Sequence, residues 1–396
     1  MWSFLFPIKN EQKRSKKMNK QKIAFCIPDM IVGGVETVFI STLEELLKYP
    51  DLKISVYMQS KLQEKYYQDW FNHHPEIKLK VIYPMLPYFE NLKKRTNFFP
   101  LKNLRKLIFS LYKMYRRSIF HINNHDIYID YKNASFFKEL RHIKTPKITW
   151  CHGSFDFFQK SKLINRLKYY DKMVVLTDEF KDEFTLRYPS HSSKIIRIYN
   201  PITPEHIITK AKTGPTYSGR YFCSISRLGS PKDIHTIIDA FTIFLRTENT
   251  TDIKLLIIGD GPNRTGLEQH ANQSTAKEHI IFLGTQTNPF GYMQKSMAHI
   301  LSSHSEGFGM VLLESASVGT LNISTQHKNG AQEILLNGTA GLLFNIGDKH
   351  ALSQIMSNIY HNRIPRQEII KNSQLSLNRF NPKKITAEIL ELINSL

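Results

Sequence analysis

The sequence predicts two α/β domains whose parallel sheets face each other across a cleft. The chain has 396 residues, which is too long for a single core of ordinary size, and 41% of them are hydrophobic. Short β-rich segments alternate with helix-like segments along most of its length. This alternation stops once, over residues 201–218, and then resumes.

The first series predicts an N-terminal domain over residues 19–200, preceded by a basic extension over residues 1–18. Its strand candidates are KIAFCIP, KISVYMQ, IKLKVIY, DIYIDY, KITWCHG, KMVVLTD and KIIRIYN. Helix-like segments separate most of them, which is typical of a parallel sheet with helices on both faces.

The interruption predicts a linker, because Pro201, Pro204, Gly214 and Pro215 punctuate a polar stretch. The second series then predicts a C-terminal domain over residues 219–378, with strand candidates RYFCSIS, IKLLIIG, IIFLG, HILSS and LNIST. A last helix over residues 379–396 is free to pack back on the N-terminal domain.

Composition narrows the class of protein. The three cysteines, Cys26, Cys151 and Cys223, form neither a disulfide framework nor a metal-ligand spacing, which favours a reducing compartment. No segment approaches the roughly 20 apolar residues that span a bilayer. We therefore expect a cytoplasmic protein without resident metal or cofactor.

A strongly basic segment indicates an anionic partner. The formal net charge is +20, and residues 91–125 contain no Asp or Glu. Apolar residues recur there at helical spacing, so the segment reads as a basic amphipathic helix lying on an anionic membrane, at the inner face of the plasma membrane. The predicted membrane-binding side chains are Lys102, Arg105, Lys106, Lys113, Arg116 and Arg117.

Two other interpretations of this helix stay open. Its apolar stripe, which includes Leu104, Ile108 and Leu111, could pack on its own domain and leave a solvated basic face. Nucleic acid is a weaker candidate partner, since no nucleic-acid motif accompanies the charge.

The candidate site residues follow predicted strands, where ligands bind to parallel sheets. Gly33 and Gly34 precede a helix, so the backbone there can come close to a ligand. His152 follows KITWC, and Arg227 and Lys232 lie in a turn from which both cations can converge on one diphosphate. Taken one at a time, the two glycines also fit a plain tight turn, His152 also fits a core position, and the two cations also fit solvated surface charges.

The segment SEGFGMVLLES places Glu306 before a helix and Glu314 within it. Their spacing does not stack them on one helical face, so they could contact two points of one extended ligand. The glycines leave backbone NH groups at the helix start free to bind sugar hydroxyls or phosphate, namely those of Phe308, Gly309, Met310 and Val311.

Four motifs together resemble the retaining glycosyltransferases of family 4, the glycosyl transferases group 1. EGFGMVLLE is similar to their motif of two glutamates separated by seven residues, SRLGSPKD to their arginine-to-lysine phosphate signature, GDGPNRTGLE to the turn after the next strand, and GGVET to their N-terminal glycine loop. The motifs occur in the family's order, and the similarity runs from about Lys22 to the C-terminus. The resemblance implies the GT-B fold, with two Rossmann-like domains.

It also implies transfer of a hexose from a nucleotide sugar, with UDP as the expected nucleotide, and retention of the anomeric configuration. By motif position, Arg227 and Lys232 would hold the diphosphate and Glu314 the ribose. Glu306 would hold the donor sugar and His152 would contact it near the acceptor. The remaining donor contacts would come from Gly33, Gly34, Phe308, Gly309, Met310 and Val311.

No D-x-D occurs in the chain, so the two cations would replace a divalent ion. The expected acceptor is a lipid-linked bacterial surface glycan, such as lipooligosaccharide, capsule or O-antigen. One departure is Asp233, which stands after Lys232 where the family often has a small or amide residue. Alternatives are a nucleotide-sugar epimerase or phosphorylase of the same fold, and a non-catalytic protein that binds membrane or nucleic acid.

Overall fold

The fold prediction is confirmed by two parallel sheets of seven and six strands. The computed structural model describes residues 21–31, 33–86, 88, 99–119, 125–327 and 330–396, with the backbone alone for residues 99–102, 105 and 117–119. The predicted basic extension, residues 1–18, lies outside the described residues.

The N-terminal sheet has the order β3-β2-β1-β4-β5-β6-β7. Its strands are Gln21–Ile27 (β1), Leu52–Met58 (β2), Lys78–Val81 (β3), Ile127–Asp130 (β4), Lys147–Trp150 (β5), Lys172–Val175 (β6) and Ile195–Arg197 (β7). The helices between and around them are Gly34–Leu46 (α1), Lys65–His73 (α2), Phe99–Ile119 (α3), Phe137–Leu140 (α4), Phe155–Lys160 (α5), Ile164–Leu167 (α6) and Asp178–Arg187 (α7).

The C-terminal sheet has the order β10-β9-β8-β11-β12-β13. Helix Pro204–Thr213 (α8) precedes it. The strands are Arg220–Ile225 (β8), Ile253–Ile258 (β9), Ile280–Gly284 (β10), His299–Leu301 (β11), Asn322–Thr325 (β12) and Leu342–Phe344 (β13). The helices are Ile234–Glu248 (α9), Arg264–Gln273 (α10), Phe290–Lys295 (α11), Met310–Ser317 (α12), Ala331–Ile334 (α13), Lys349–Tyr360 (α14), Arg366–Ser376 (α15) and Pro382–Asn394 (α16).

Both faces of each sheet are covered, which explains why the strands are apolar almost throughout. In β1, Phe25 and Ile27 pack into a core on one face, while Ala24 and Cys26 pack into a second core on the other. Strands that are buried on two sides lose the alternation of polar and apolar residues that a half-exposed strand would show.

Two helices connect the domains at the edges of the cleft. The predicted linker contains α8, which begins with Pro204 at its first turn and ends before Gly214. Its Ala211 packs in a small cluster with Met293 of the C-terminal domain. At the end of the chain, α16 contacts α1 and buries Ile385 and Ile389 in the same core as Phe39 of the N-terminal domain.

The strand order of each sheet reverses direction once, between β1 and β4 and between β8 and β11. Loops that leave the two strands at such a point diverge and open a crevice at the carboxyl edge of the sheet. The two crevices face each other and enclose the candidate site described below.

The turn after β9 supports the loop after β8 through glycines that have no room for a side chain. A Cβ at Gly259 would lie 1.9 Å from the carbonyl oxygen of Ser226, and one at Gly261 would lie 2.4 Å from that of Leu228. Gly259 also has a φ of +134°, which side-chain-bearing residues avoid. The two glycines of the segment GDGPNRTGLE are therefore required for close packing against the loop that ends in Lys232.

Gly259→Ala should lower the free energy of unfolding by at least about 2 kcal/mol, because it combines a clash with an unfavourable φ. Gly266, inside α10, has open space around it, so Gly266→Ala should raise the same quantity by about 0.5 to 1 kcal/mol. Urea denaturation of the two variants beside wild type measures both effects. Equal stability of the two alanine variants would contradict the packing argument.

Candidate active site

The two sheets enclose a cavity of about 360 Å³ at their carboxyl edges. From the N-terminal domain, Gly34, His152 and Asn200 contribute to its wall. The C-terminal domain contributes Lys232, Glu306, Phe308, Gly309, Met310, Val311 and Glu314, among others. Most of the side chains that the sequence singled out are thus brought together in one place.

Lys232 and Glu306 form an ion pair in the wall of this cavity. Ser303 donates a second hydrogen bond to the same carboxylate oxygen at 2.6 Å. Both ionic side chains are mostly shielded, with 24% and 13% of their side-chain surface exposed. The pair joins the loop after β8 to the loop after β11, which come from neighbouring strands.

Asp233 keeps this loop in shape. It adopts a left-handed conformation with φ 46° and ψ 49°, which aspartate tolerates better than most residues. Its carboxylate accepts hydrogen bonds from Thr236 at 2.7 Å and from His304 at 3.0 Å. Ser302 donates to the carbonyl oxygens of Lys232 and Asp233. The departure from the family pattern at Asp233 is therefore accommodated by local hydrogen bonds.

Helix α12 begins at the cavity with Gly309 as its N-cap residue. Gly309 has a φ of +100°, a conformation that favours glycine. Met310 and Val311 occupy the first turn, where backbone NH groups have no partner within the helix. Because these residues line the cavity, their NH groups and the positive end of the helix dipole are available to an oxygen-rich ligand.

Glu314 lies one turn further along α12. Burial raises the pKa of its carboxyl group from 4.5 to about 7, and Lys210 partly opposes this increase. A pKa near neutrality means that the protonation of Glu314 changes within the physiological pH range. Of the two glutamates of the motif, Glu306 is thus paired with a cation, and Glu314 is held in an environment that disfavours its charge.

His152 lies across the cavity on the N-terminal domain. Burial lowers the pKa of its imidazole to about 3, so the ring is neutral at physiological pH. The ring centroid is 4.9 Å from that of Tyr131, and the backbone NH donates to Asn133 Oδ1 at 2.9 Å. The backbone of Tyr131 partly opposes this decrease in pKa, but neither ring nitrogen makes a well-formed hydrogen bond to a described residue. The neutral ring can offer one donor and one acceptor to a ligand.

The domains meet at His152 through the backbone. A Cβ at Gly307 would lie 1.8 Å from the carbonyl oxygen of His152, so only glycine allows this contact. Nearby, the Tyr199 hydroxyl donates to Glu333, and the NH of Asp178 donates to the same carboxylate at 3.0 Å. These contacts fix the distance between the two walls of the cavity.

Two of the predicted donor-binding residues lie beside the cavity rather than in its wall. Arg227 follows Ser226, which lines the cavity, but its own side chain is exposed. Gly33 is the extended N-cap residue of α1, and Gly34 lines the cavity in its place. For these residues, as for the whole predicted site, the assigned roles remain predictions.

The wall also contains residues that the sequence analysis did not single out. Asn200 and Leu176 follow β7 and β6, and Ser226 follows β8. Asn200 is 4% exposed. A signal for all three was available, because each lies at or near the carboxyl end of a predicted strand segment.

The basic helix, as we call α3, spans Phe99–Ile119 within the predicted segment. Its apolar stripe is exposed: Leu104, Leu107, Leu111 and Met114 have 53%, 56%, 49% and 61% of their surface accessible. This stripe does not pack on its own domain. The interpretation of a solvated basic face over a packed apolar stripe is therefore wrong for the described side chains.

The cations near the end of the basic helix face the domain. Arg116 donates from Nε to the carbonyl oxygen of Ile82 at 2.7 Å. Lys113 lies over the ring of Phe109 at 4.3 Å and near the ring of Tyr83 at 5.7 Å. The prediction that all six cations share a lipid-facing side is therefore wrong for Arg116 and Lys113, because the carbonyl and the aromatic rings bind them. Lys106 is exposed, and the side chains of Lys102, Arg105 and Arg117 lie outside the described ones.

No helix in the part of the chain that the structure describes has an apolar stretch long enough to cross a bilayer. The exposed apolar residues of the basic helix form one side of an amphipathic helix.

Comparison with known proteins gives a consistent result. Residues 208–376 match the family described as Glycosyl transferases group 1. Over 388 residues, the chain is 24% identical to a Campylobacter jejuni enzyme named GalNAc-alpha-(1->4)-GalNAc-alpha-(1->3)-diNAcBac-PP-undecaprenol alpha-1,4-N-acetyl-D-galactosaminyltransferase, covering 94% of this chain and 98% of that one.

A second relative from Campylobacter jejuni is named N-acetylgalactosamine-N,N'-diacetylbacillosaminyl-diphospho-undecaprenol 4-alpha-N-acetylgalactosaminyltransferase. It is 25% identical over 252 residues, which cover 63% of this chain and 67% of the relative. Three further curated relatives match over about a third to a half of their own length.

Among solved structures, Anabaena Alr3699/HepE in complex with UDP and glucose superposes with a TM-score of 0.71. The identity is 18%, and the match covers 95% of this chain and all of the other. This likeness confirms the fold predicted from the sequence.

Binding of a nucleotide sugar should depend on pH through Glu314. If Glu314 accepts hydrogen bonds from a ribose diol, the ligand favours the ionised carboxylate, so affinity should be highest above pH 7 and fall as the pH is lowered through about 7. Binding below pH 7 must release one proton from the Glu314 carboxyl group, which limits the decrease in affinity to about tenfold per pH unit. Calorimetric titration with UDP-glucose from pH 5.5 to 8.5 measures it.

Glu314→Gln should bind more weakly and lose this pH dependence, whereas Glu278→Gln, at an exposed position, should keep the wild-type profile. An unchanged pH profile in Glu314→Gln would show that another group is responsible.

Proposed function

We propose that the chain is a retaining, metal-independent hexosyltransferase of the glycosyl transferases group 1, the family that its residues 208–376 match. It moves a hexose from a nucleotide sugar, UDP-hexose, to a lipid-linked surface glycan such as lipooligosaccharide, capsule or O-antigen. The observation that supports this function best is the cavity where Lys232, Glu306, Glu314 and His152 converge from two domains.

The residues divide the work by charge. In the transfer, the bond between the anomeric carbon and the diphosphate oxygen breaks and its electron pair stays on the diphosphate. Lys232, assisted by Arg227 from the same loop after β8, stabilises that growing negative charge. The acceptor hydroxyl oxygen bonds to the anomeric carbon, and its proton leaves with the diphosphate. No metal ion is needed for this charge balance.

The ribose and the transferred sugar, which are the uncharged parts of the donor, contact the remaining side chains of the cavity. Glu314 accepts hydrogen bonds from the ribose, and Glu306 with the backbone NH groups at the start of α12 holds the donor sugar. His152 contacts this sugar from the opposite wall, next to the acceptor. A neutral imidazole suits this position because it does not compete with Lys232 for the diphosphate.

Two comparisons support the substrates. The solved structure with a similar fold contains UDP and glucose, and two relatives are named for acceptors in which a diphosphate joins a sugar to undecaprenol. A chemically similar acceptor would present this chain with a sugar attached to a membrane lipid.

The exposed stripe of the basic helix supports contact with that membrane. Leu104, Leu107, Leu111 and Met114 lie on one side of a helix whose segment contains no acid. Such a helix can bury its apolar side to a depth of about 5 to 10 Å in the interface. Met85 and Tyr88, which precede the helix in the chain, are exposed as well. The protein would thus be peripheral at the cytoplasmic face of the plasma membrane.

Lys232→Ala should lower kcat/KM for transfer by roughly 10² to 10³, because it removes stabilisation of the leaving group worth about 3 to 4 kcal/mol. Lys277→Ala, an exposed lysine on the same domain, is the matched control. The assay follows release of UDP from UDP-hexose and requires a lipid-linked acceptor. Release without acceptor would indicate an epimerase or hydrolytic side reaction, and wild-type rates in Lys232→Ala would contradict the diphosphate assignment.

Replacing Leu104, Leu107 and Leu111 together by Ser should reduce co-sedimentation with anionic vesicles at least tenfold, since each leucine contributes up to about 2 kcal/mol when buried. A matched control replaces Tyr66 and Leu186, which are 65% and 85% exposed elsewhere on the N-terminal domain. Wild-type sedimentation of the triple variant would mean that the stripe does not contact lipid. If the triple variant instead converts a dimer to a monomer, a second copy covers the stripe.

A further inference from the structure

A second cavity lies at the carboxyl edge of the N-terminal sheet, apart from the one between the domains. Its volume is about 370 Å³, and its wall includes Lys113, Lys138, Arg166, Tyr83, Phe137 and Glu139. We propose that it binds the diphosphate of a lipid-linked sugar acceptor. This inference rests on the proposed function, because it assigns the acceptor side of the same transfer.

The charge of the cavity fits such a group. Three cations and one carboxylate line it, and the carboxylate of Glu139 accepts a hydrogen bond from the Tyr83 hydroxyl at 2.5 Å. Arg166 is held over the ring of Phe137 at 4.7 Å. A diphosphate esterified at both ends has two negative charges, which match the surplus of two positive charges. Guanidinium and ammonium groups are the side chains best suited to phosphate oxygens.

The position of the cavity fits the lipid. Lys113 belongs to the basic helix and faces the cavity, while Leu107 and Leu111 lie on the opposite side of the same helix. An α-helix is about 10 to 12 Å across, and its apolar side enters the interface by about 5 to 10 Å. The cavity side of the basic helix would therefore lie near the level of the lipid phosphates.

The position also fits the sugar. A tight turn links the cavity to the active site: Asn133 Oδ1 accepts from the NH of His152, and the carbonyl oxygen of Ala134 accepts from Arg166 at 3.3 Å. The next carbonyl, that of Ser135, accepts from Gln59 at 3.2 Å. Asn133 and Ala134 both have left-handed φ angles of 56° and 52°. The lipid would thus contact the apolar stripe, the diphosphate would bind in the cationic cavity, and the sugar would reach His152.

The test uses farnesyl diphosphate as a soluble lipid diphosphate and measures its dissociation constant by calorimetry on the full chain. Wild type should bind it, inorganic diphosphate should compete, and farnesol should not bind measurably. Replacing Lys138 by Ala and Arg166 by Gln together should weaken binding about 10- to 100-fold. Lys138→Glu, which changes one exposed side chain, should weaken it in the same direction if the double variant folds poorly.

The controls separate this cavity from the donor site. Replacing Arg363 by Gln and Lys371 by Ala, two exposed cations on the C-terminal domain, removes the same charge and should leave binding unchanged. Lys232→Ala should also leave it unchanged. The inference is overturned if farnesyl diphosphate binding survives the double change at Lys138 and Arg166, or if Lys232→Ala abolishes it. Failure of the proposed function would appear separately, as no UDP release from UDP-hexose with any lipid-linked acceptor.

Discussion

The candidate active site depends on the backbone contact between Gly307 and the carbonyl of His152. No side chain fits at Gly307, so the C-terminal wall of the cavity can come directly against the N-terminal one. Tyr199 and Glu333 hold the domains together beside it, and the NH of Ile202 donates to the carbonyl of Phe380 where the chain crosses back. A larger spacing would separate His152 from the residues of α12. The depth of the site is thus set by this main-chain contact together with the hydrogen bond between Tyr199 and Glu333 beside it.

Within the cavity, the two glutamates have different electrostatic environments. Glu306 is paired with Lys232, whereas the environment of Glu314 disfavours its charge and brings its pKa to about 7. A buried carboxylate of this kind reduces folding stability as the pH rises from 4.5 to about 7, because the unfolded chain ionises first. Under the proposed function, this unfavourable group lies where the ribose of the donor would need a hydrogen-bond acceptor.

Sequence alone could predict the fold and most of the cavity wall, because both follow from local patterns. Strands buried on two faces are apolar runs, and ligand-binding residues follow their carboxyl ends. Short elements could not be predicted in this way. Strand β13, Leu342–Phe344, has only three residues, which are too few to show an apolar run. Helix α8 was hidden by Pro204 and Gly214, which read as breakers although they stand at its two ends.

The orientation of the basic helix could not be predicted for a different reason. A helical pattern separates an apolar side from a cationic side, but it does not say which of them meets the domain. Here the carbonyl of Ile82 binds Arg116 and the ring of Tyr83 lies near Lys113, so these two cations turn inward and the leucines outward. This choice depends on contacts between residues about 30 positions apart in the chain.

Under the proposed function, the ion pair between Lys232 and Glu306 would have a consequence for the end of the catalytic cycle. A ligand that draws Lys232 toward phosphate leaves Glu306 without its cation, and a donor compensates for this with the hydroxyls of its sugar. The spent nucleotide has phosphates but no such hydroxyls, so Lys232 returns to Glu306 at its expense. The pair would therefore favour departure of the nucleotide after the proposed transfer and so reduce product inhibition.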